Sequence, residues 1–173
     1  MMKKILIAAA LVAAVCSCTK EGAARFEGYY SYKLSGTISF EATAPASSDV
    51  GLAEDNMTFS ISPESGQLNV LTEDKKSGMV VLTMNALLGD ATTMTGKAEG
   101  TALTLDDCTK AFSFDLGSTA VERNHSFTIS GSGERLDDIL MIEFTASGTM
   151  EYLGRSYVVT GSDLNCIARL NER

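Results

Sequence analysis

Apolar and polar residues alternate along several segments of this chain, and this alternation limits its fold more than any other feature of the sequence. Leu140, Ile142 and Phe144 form one alternating row, and Phe127 and Ile129 form another. A period of two places every second side chain on the same face, which is the pattern of a half-buried β-strand. The sequence therefore predicts an all-β fold.

Turn-forming residues divide the chain at short intervals. Segments 63–66, 89–90 and 99–100 combine glycine with proline or acidic residues, which favour tight turns. Turns about every 8 to 12 residues predict an antiparallel up-and-down meander that closes into a barrel. A strongly curved open sheet and a sandwich are the alternatives. The predicted strands are 28–41, 56–62, 67–72, 78–87, 91–99, 101–106, 110–116, 120–132, 138–152, 155–162 and 164–170.

Three glycines lie in the middle of predicted strands, each beside a serine: Gly36, Gly131 and Gly148. Glycine inside a strand usually marks a bulge or a sharp bend. Long strands that bend in the middle are what a small closed barrel needs. The three positions therefore favour a barrel.

The N-terminus has the three parts of a secretory signal. Lys3 and Lys4 give it a basic start, residues 5–15 form an uncharged apolar run, and small residues follow. The run is too short to span a bilayer core of about 30 Å. We therefore expect residues 1–17 to be removed as a signal peptide.

A cysteine at the end of this run resembles the lipobox of bacterial lipoproteins, whose cysteine is acylated and becomes the new N-terminus. Cys18 has valine at the third position before it and serine directly before it, which fits the lipobox better than Cys16, which follows Val15 directly. The resemblance implies several acyl chains on Cys18, palmitate among them, and therefore a firm anchor. It also implies the bacterial outer membrane, on its periplasmic or cell-surface face.

The first predicted strand begins with glycine and aromatic residues. Residues 26–33 read Phe-Glu-Gly-Tyr-Tyr-Ser-Tyr-Lys, and together with the N-terminal cysteine they resemble the lipocalin-like (calycin-like) lipoproteins of gut anaerobes. Lipocalins usually have Gly-x-Trp at this point, whereas this chain has Gly28-x-Tyr30 and no tryptophan. The resemblance implies a lipidated N-terminus and tether over 18–25, a single β-barrel-like domain over 26–173, and a cavity for a small apolar ligand.

The candidate ligand-pocket residues are aromatic and methionine positions of the predicted strands. Aromatic rings offer a wide apolar surface, and methionine adapts to many shapes. The same side chains are equally suited to ordinary packing between strands. The eight candidates are Tyr30, Tyr32, Phe59, Met84, Phe112, Phe114, Phe127 and Phe144.

Acidic residues outnumber basic residues by 22 to 14, which gives a net charge of -8. Removal of residues 1–17 takes away two lysines and leaves 12 basic residues against the same 22 acids. Binding to nucleic acid needs clustered lysine and arginine. The charge balance therefore argues against a nucleic-acid partner, and no motif indicates a protein partner.

The sequence offers little for catalysis. His125 is the single histidine, and no serine lies in a Gly-x-Ser-x-Gly turn. Acids pair as sequence neighbours, as in Asp106-Asp107 and Asp137-Asp138, where the side chains point apart rather than across a cleft. We therefore predict no enzyme activity, no cofactor and no metal site.

Cys108 and Cys166 are the cysteines beyond the N-terminal region. In an oxidising compartment such a pair suggests a disulfide. Two separate buried thiols are the alternative.

Two functions remain open. A lipid-anchored barrel that binds a small apolar ligand requires an internal cavity with apolar walls. A non-catalytic structural or accessory surface lipoprotein, which acts through protein or glycan contacts, requires a filled interior and an exposed apolar patch of a few hundred Å².

Overall fold

The computed structural model describes residues 22–44, 54–74, 77–112, 125–152 and 154–171, and these form a closed barrel of eight antiparallel strands. Each strand pairs with the next along the chain, and β1 pairs with β8 to close the barrel. The predicted up-and-down barrel is confirmed, and the open sheet and sandwich are wrong. The strands are β1 Gly28–Ala42, β2 Asn56–Asp74, β3 Met79–Leu87, β4 Asp90–Glu99, β5 Ala102–Phe112, β6 His125–Leu136, β7 Ile139–Tyr152 and β8 Arg155–Leu170.

The prediction of eleven strands is wrong because three long strands were each divided in two. Segment 63–66 is not a turn but part of β2, where the exposed Pro63 lies at a shift in the register with β1. Proline has no N–H to donate to the neighbouring strand, so within a strand it is tolerated where the hydrogen-bond pattern is already interrupted. β5 and β8 likewise run through the predicted gaps at 107–109 and 163. Predicted strand residues 113–116 and 120–124 lie outside the described residues.

The middle of β1 bends at Gly36, as its glycine predicts. The register with β2 shifts between Leu34 and Gly36. A Cβ added to Gly36 would lie 1.8 Å from the carbonyl oxygen of Asp163 on β8, so only glycine allows this approach of the two strands. Gly148 lies in the same way beside a register shift between β7 and β8.

A 3-10 helix at Gly22–Arg25 covers one end of the barrel, which we call the plugged end. Ala23 and Phe26 are fully buried, and Arg25 Nη1 donates to the carbonyl oxygen of Gly100 in the β4–β5 turn at 3.5 Å. Residues 22–26 therefore pack against the barrel at this end. Within the described ranges, no helix is both long enough and apolar enough to cross a membrane.

The alternation predicted for the strands is confirmed in the burial of their side chains. Leu140, Ile142 and Phe144 of β7 are buried, whereas Met141 and Glu143 between them are exposed. β4 and β6 alternate in the same sense. The inward rows of all eight strands meet in one hydrophobic core inside the barrel.

Candidate ligand site at the barrel mouth

The plugged half of the barrel is filled by its own side chains. Tyr30, Tyr32 and Met84 point inward there and are at most 2% exposed. Side chains sealed to this degree leave no water-sized space between them. Tyr30, Tyr32, Met84 and Phe144, which were predicted to line a pocket, are therefore packed core residues. The neighbours that share this sealed core are Leu34, Leu68, Val70, Leu82, Leu140 and Ile142.

The opposite end of the barrel, which we call the mouth, is where β1 ends and β2 begins. Met57, Phe59 and Ile61 of β2 pack against the core there but are only half-buried. Among the described residues, β3 pairs with β2 only from Leu68 onward, so the first half of β2 has its ladder partner on β1. Other half-buried apolar residues that pack against the core are Ala42, Cys108, Ala146, Tyr152 and Val159.

Three phenylalanines meet across the interior below the mouth. The ring centroid of Phe40 lies 5.6 Å from that of Phe59 and 6.0 Å from that of Phe127, with interplanar angles of 68° and 71°. Edge-to-face pairs of this kind add about 0.5–1.5 kcal/mol beyond the burial of their area. Phe40 and Phe127 are buried and Phe59 is half-buried, so the cluster fills part of the interior near the mouth.

Glu64 of β2 is the register partner of Leu34, at the level where the sealed half begins. The backbone N–H groups of Leu88 and Gly89 donate to its carboxylate. Burial raises the pKa of the Glu64 carboxyl, and these two hydrogen bonds oppose the rise only in part. Its Oε2 atom is buried and has no hydrogen-bond partner among the described residues. Glu64 therefore has an oxygen that can accept from a further donor.

Side chains of β1 and β2 hold the tip of the β3–β4 hairpin against the barrel. The tip turns through Leu88 and Gly89, whose φ angles of 53° and 88° are those of a tight hairpin turn. The Tyr32 hydroxyl donates to the carbonyl oxygen of Ala86. Because Leu88 is buried, its apolar contacts offset the cost of a left-handed conformation.

Two residues of β8 fasten the connection between β1 and β2 at the mouth. Arg155 Nη2 donates to the carbonyl oxygen of Ala44 at 2.8 Å and to Asp55 Oδ1 at 2.7 Å. The Tyr157 hydroxyl donates to the carbonyl oxygen of Glu54 at 2.9 Å. Both ends of segment 45–53 are thus tied to β8, while the segment itself lies outside the described residues.

The two cysteines are free thiols in the structure. Cys108 lies on β5 and is half-buried, and Cys166 lies on β8 and is buried. β6 and β7 stand between these strands in the sheet, and the predicted Cys108–Cys166 disulfide is not formed. Burial raises the pKa of the Cys166 thiol to about 12.

The structure brings together only part of the predicted pocket. Phe59 and Phe127 meet in the aromatic cluster, the side chain of Phe112 is outside the described part of β5, and Phe114 and Cys18 lie outside the described residues. Sequence reasoning missed Glu64, because 63–66 read as a solvated turn. The alternation of Met57, Phe59 and Ile61 is present in the sequence, and it could have predicted that these residues form part of the inner wall at the mouth.

Residues of the kind that bind metal do not gather in the described part of the chain. His125 opens β6, and its side chain is outside the described residues. No three histidine, cysteine, aspartate or glutamate side chains of the described ranges come close enough to hold a metal ion. The described part of the mouth has an apolar wall, and the Glu64 carboxylate lies buried at the inner limit of that wall.

This topology defines a small, closed, up-and-down β-barrel of the lipocalin-like class. No protein-family model matches the sequence, and no curated protein matches it. Among solved structures, the chain is similar to a tryptophan-to-alanine mutant of the vaccine antigen transferrin-binding protein B from Haemophilus parasuis Hp5, with 18% identity and a TM-score of 0.37. The match covers 84% of this chain and 28% of that protein, so this chain spans little more than a quarter of its length. A likeness this weak establishes neither family nor function.

Proposed function

We propose that this protein is a lipid-anchored barrel of the bacterial cell envelope that binds a small apolar ligand at its mouth. The observation that carries the proposal is the half-buried inward row of β2, because the other inward residues at the mouth, such as Ile38, Phe40 and Met150, are as buried as those of the plugged half. The plugged half is sealed, whereas Met57, Phe59 and Ile61 leave part of an apolar inner wall accessible at the mouth. A cup with apolar walls and a few polar groups is the usual form of a small-molecule site.

Glu64 gives the proposed ligand a polar feature. Its Oε2 atom accepts no hydrogen bond from the described residues, and an unsatisfied acceptor in an apolar setting is costly. A ligand with a hydroxyl or amine beside its apolar body satisfies this acceptor and gains orientation from it.

Binding of the neutral apolar dye N-phenyl-1-naphthylamine tests this site. Dye fluorescence should rise and saturate, and Met57→Gln should weaken the affinity at least fivefold by placing an amide in the apolar wall. Met79→Gln is the matched control, because Met79 is also half-buried but lies in the outward row of β3. Equal losses in both variants, or no saturable binding by the unmodified protein, would contradict the proposal.

The anchor is proposed from the sequence and placed on Cys18, with the domain on the periplasmic or cell-surface face of the outer membrane. Labelled palmitate added to cells should enter the protein, and Cys18→Ser should abolish this and release the protein into the soluble fraction. Retention of the label in Cys18→Ser and its loss in Cys16→Ser would assign the anchor to Cys16 instead.

A contact function is the second candidate, since the plugged half is filled and an apolar patch lies on the outer wall. In this account the barrel is a rigid, non-catalytic accessory lipoprotein. The exposed Met141 and Ile167 are the observation that favours it.

A further inference from the structure

Pairs of hydroxyl side chains lie at several places on the outer wall of the barrel, whereas the wall around β7 and β8 carries an apolar pair. On β7 and β8, Met141 and Ile167 are register partners on the outside of the barrel, 39% and 58% exposed. Elsewhere on the wall, serine and threonine hydroxyls pair across strands, at 3.1 Å for Ser39–Thr58, 3.3 Å for Thr83–Thr93, 3.1 Å for Thr109–Thr128 and 2.8 Å for Ser130–Thr145.

Met141 and Ile167 line a shallow groove of about 540 Å³ that crosses β5 to β8. The apolar surface continues toward the β6–β7 turn through Leu136, which is exposed, and its register partner Ile139, which is half-buried. A contiguous apolar patch of this kind on a small domain is typical of an interaction site.

The charged residues of the groove are both acidic. Glu134 is the register partner of Met141, and Glu143 lies two residues further along β7 on the same face. Among the described residues, no lysine or arginine lines the groove. The nearest basic positions in the register are Lys33, the partner of Ile167, and Arg169, which lies 3.9 Å from Asp138. Negative charge thus adjoins the apolar centre on its β6–β7 side.

We propose that this groove is a docking surface for a polypeptide segment with aliphatic side chains flanked by lysine or arginine. The aliphatic side chain packs against Met141 and Ile167, and the basic side chains meet Glu134 and Glu143. Complementary charge around an apolar centre gives such an interface its specificity. A second copy of this chain, with a net charge of -8, is a poorer occupant.

Fluorescence anisotropy with the labelled peptide Lys-Leu-Lys-Leu-Lys at physiological salt tests the proposal on the full chain. We expect saturable binding, a loss of at least tenfold in affinity for Ile167→Ser, and little change for Leu71→Ser. Leu71 is the matched control because it is similarly exposed, on β2, away from the groove. Both changes are at exposed positions and should leave the fold intact.

A charge exchange tests the role of Glu134 and Glu143 in peptide binding separately. Glu134→Lys combined with Glu143→Lys should transfer the preference from the lysine peptide to Glu-Leu-Glu-Leu-Glu. A peptide with serine in place of leucine should bind at least tenfold more weakly to the unmodified protein. The proposal is overturned if the lysine–leucine peptide does not bind saturably, if Leu71→Ser weakens binding as much as Ile167→Ser, or if the charge exchange leaves the preference unchanged.

Discussion

The guanidinium of Arg135 lies over the ring of Tyr30, with its carbon 5.7 Å from the ring centroid, and its Nη1 donates to the Tyr30 hydroxyl at 2.9 Å. That hydroxyl donates in turn to the carbonyl oxygen of Phe26 at 2.7 Å. The pair therefore ties β6, β1 and the segment after the 3-10 helix together at the plugged end. Burial raises the pKa of Tyr30, with Arg135 opposing the rise, so the phenol is a neutral donor at physiological pH.

Tyr30→Phe should lower the free energy of unfolding by about 1–3 kcal/mol, since it removes the hydroxyl that binds the Phe26 carbonyl and Arg135 Nη1. Arg135→Met should also destabilise the protein. Because the two residues touch, the double variant should lose less than the sum of the single losses. Urea unfolding of the four proteins measures this coupling, and strictly additive losses would show that the contact contributes nothing.

Arg155→Met should lower the free energy of unfolding by about 1.5–3 kcal/mol, because Arg155 is buried and its hydrogen bonds hold Ala44 and Asp55. Arg169→Met is the control, since its ion pair with Asp138 is long and exposed and is worth at most about 1 kcal/mol. Chemical denaturation compares the two variants. Equal losses would mean that Arg155 does not fasten the mouth.

Glu64→Gln should reduce the dependence of stability on pH. The pKa of Glu64 is raised in the folded protein, so its contribution to stability is present below the ordinary pKa of the carboxyl and is lost as pH rises through the folded value. Glutamine stays neutral and its oxygen still accepts from Leu88 and Gly89. Between pH 4 and 8, the unfolding temperature should therefore fall less with rising pH for Glu64→Gln than for the unmodified protein. Glu143→Gln is the control, because it alters an exposed glutamate, and it should behave as the unmodified protein does. Three parallel profiles would count against a buried Glu64.

Cys108 should react with iodoacetamide at least tenfold faster than Cys166 in the folded protein at pH 8. The thiolate is the reactive form, and Cys166 is both buried and shifted to a pKa of about 12. Peptide mass mapping after brief labelling gives the two rates. Resistance of both residues together with a mass lower by two hydrogens would instead establish a disulfide.

The barrel could be predicted from sequence because its signals are local. Alternation fixes which side chains of β6 and β7 face inward, and glycines such as Gly36 mark bends. The division of β2 was wrong because Pro63 and Gly66 are turn-forming residues, whereas the pairing of β1 with β2 on both sides of the irregularity keeps the strand continuous. Register is a tertiary property, and it overrides local preference.

The site could be predicted only in part, because depth in a barrel does not follow from alternation. Tyr30 and Phe59 both point inward, yet Tyr30 lies in the sealed half and Phe59 at the mouth. The departure from Gly-x-Trp does not leave the end of the barrel open, since Tyr30, Phe26 and Arg135 fill it together. The surroundings of Glu64 could not be predicted from the sequence, because only the fold brings the β3–β4 hairpin tip to its carboxylate.

Native mass spectrometry of residues 19–173, purified without detergent and incubated with a lipid extract, tests the central claim most directly. A ligand-binding mouth predicts a reproducible added mass that is lost on denaturation and reduced in Met57→Gln but not in Met79→Gln. A clean apo mass under all these conditions would contradict ligand binding and leave the barrel as a contact protein.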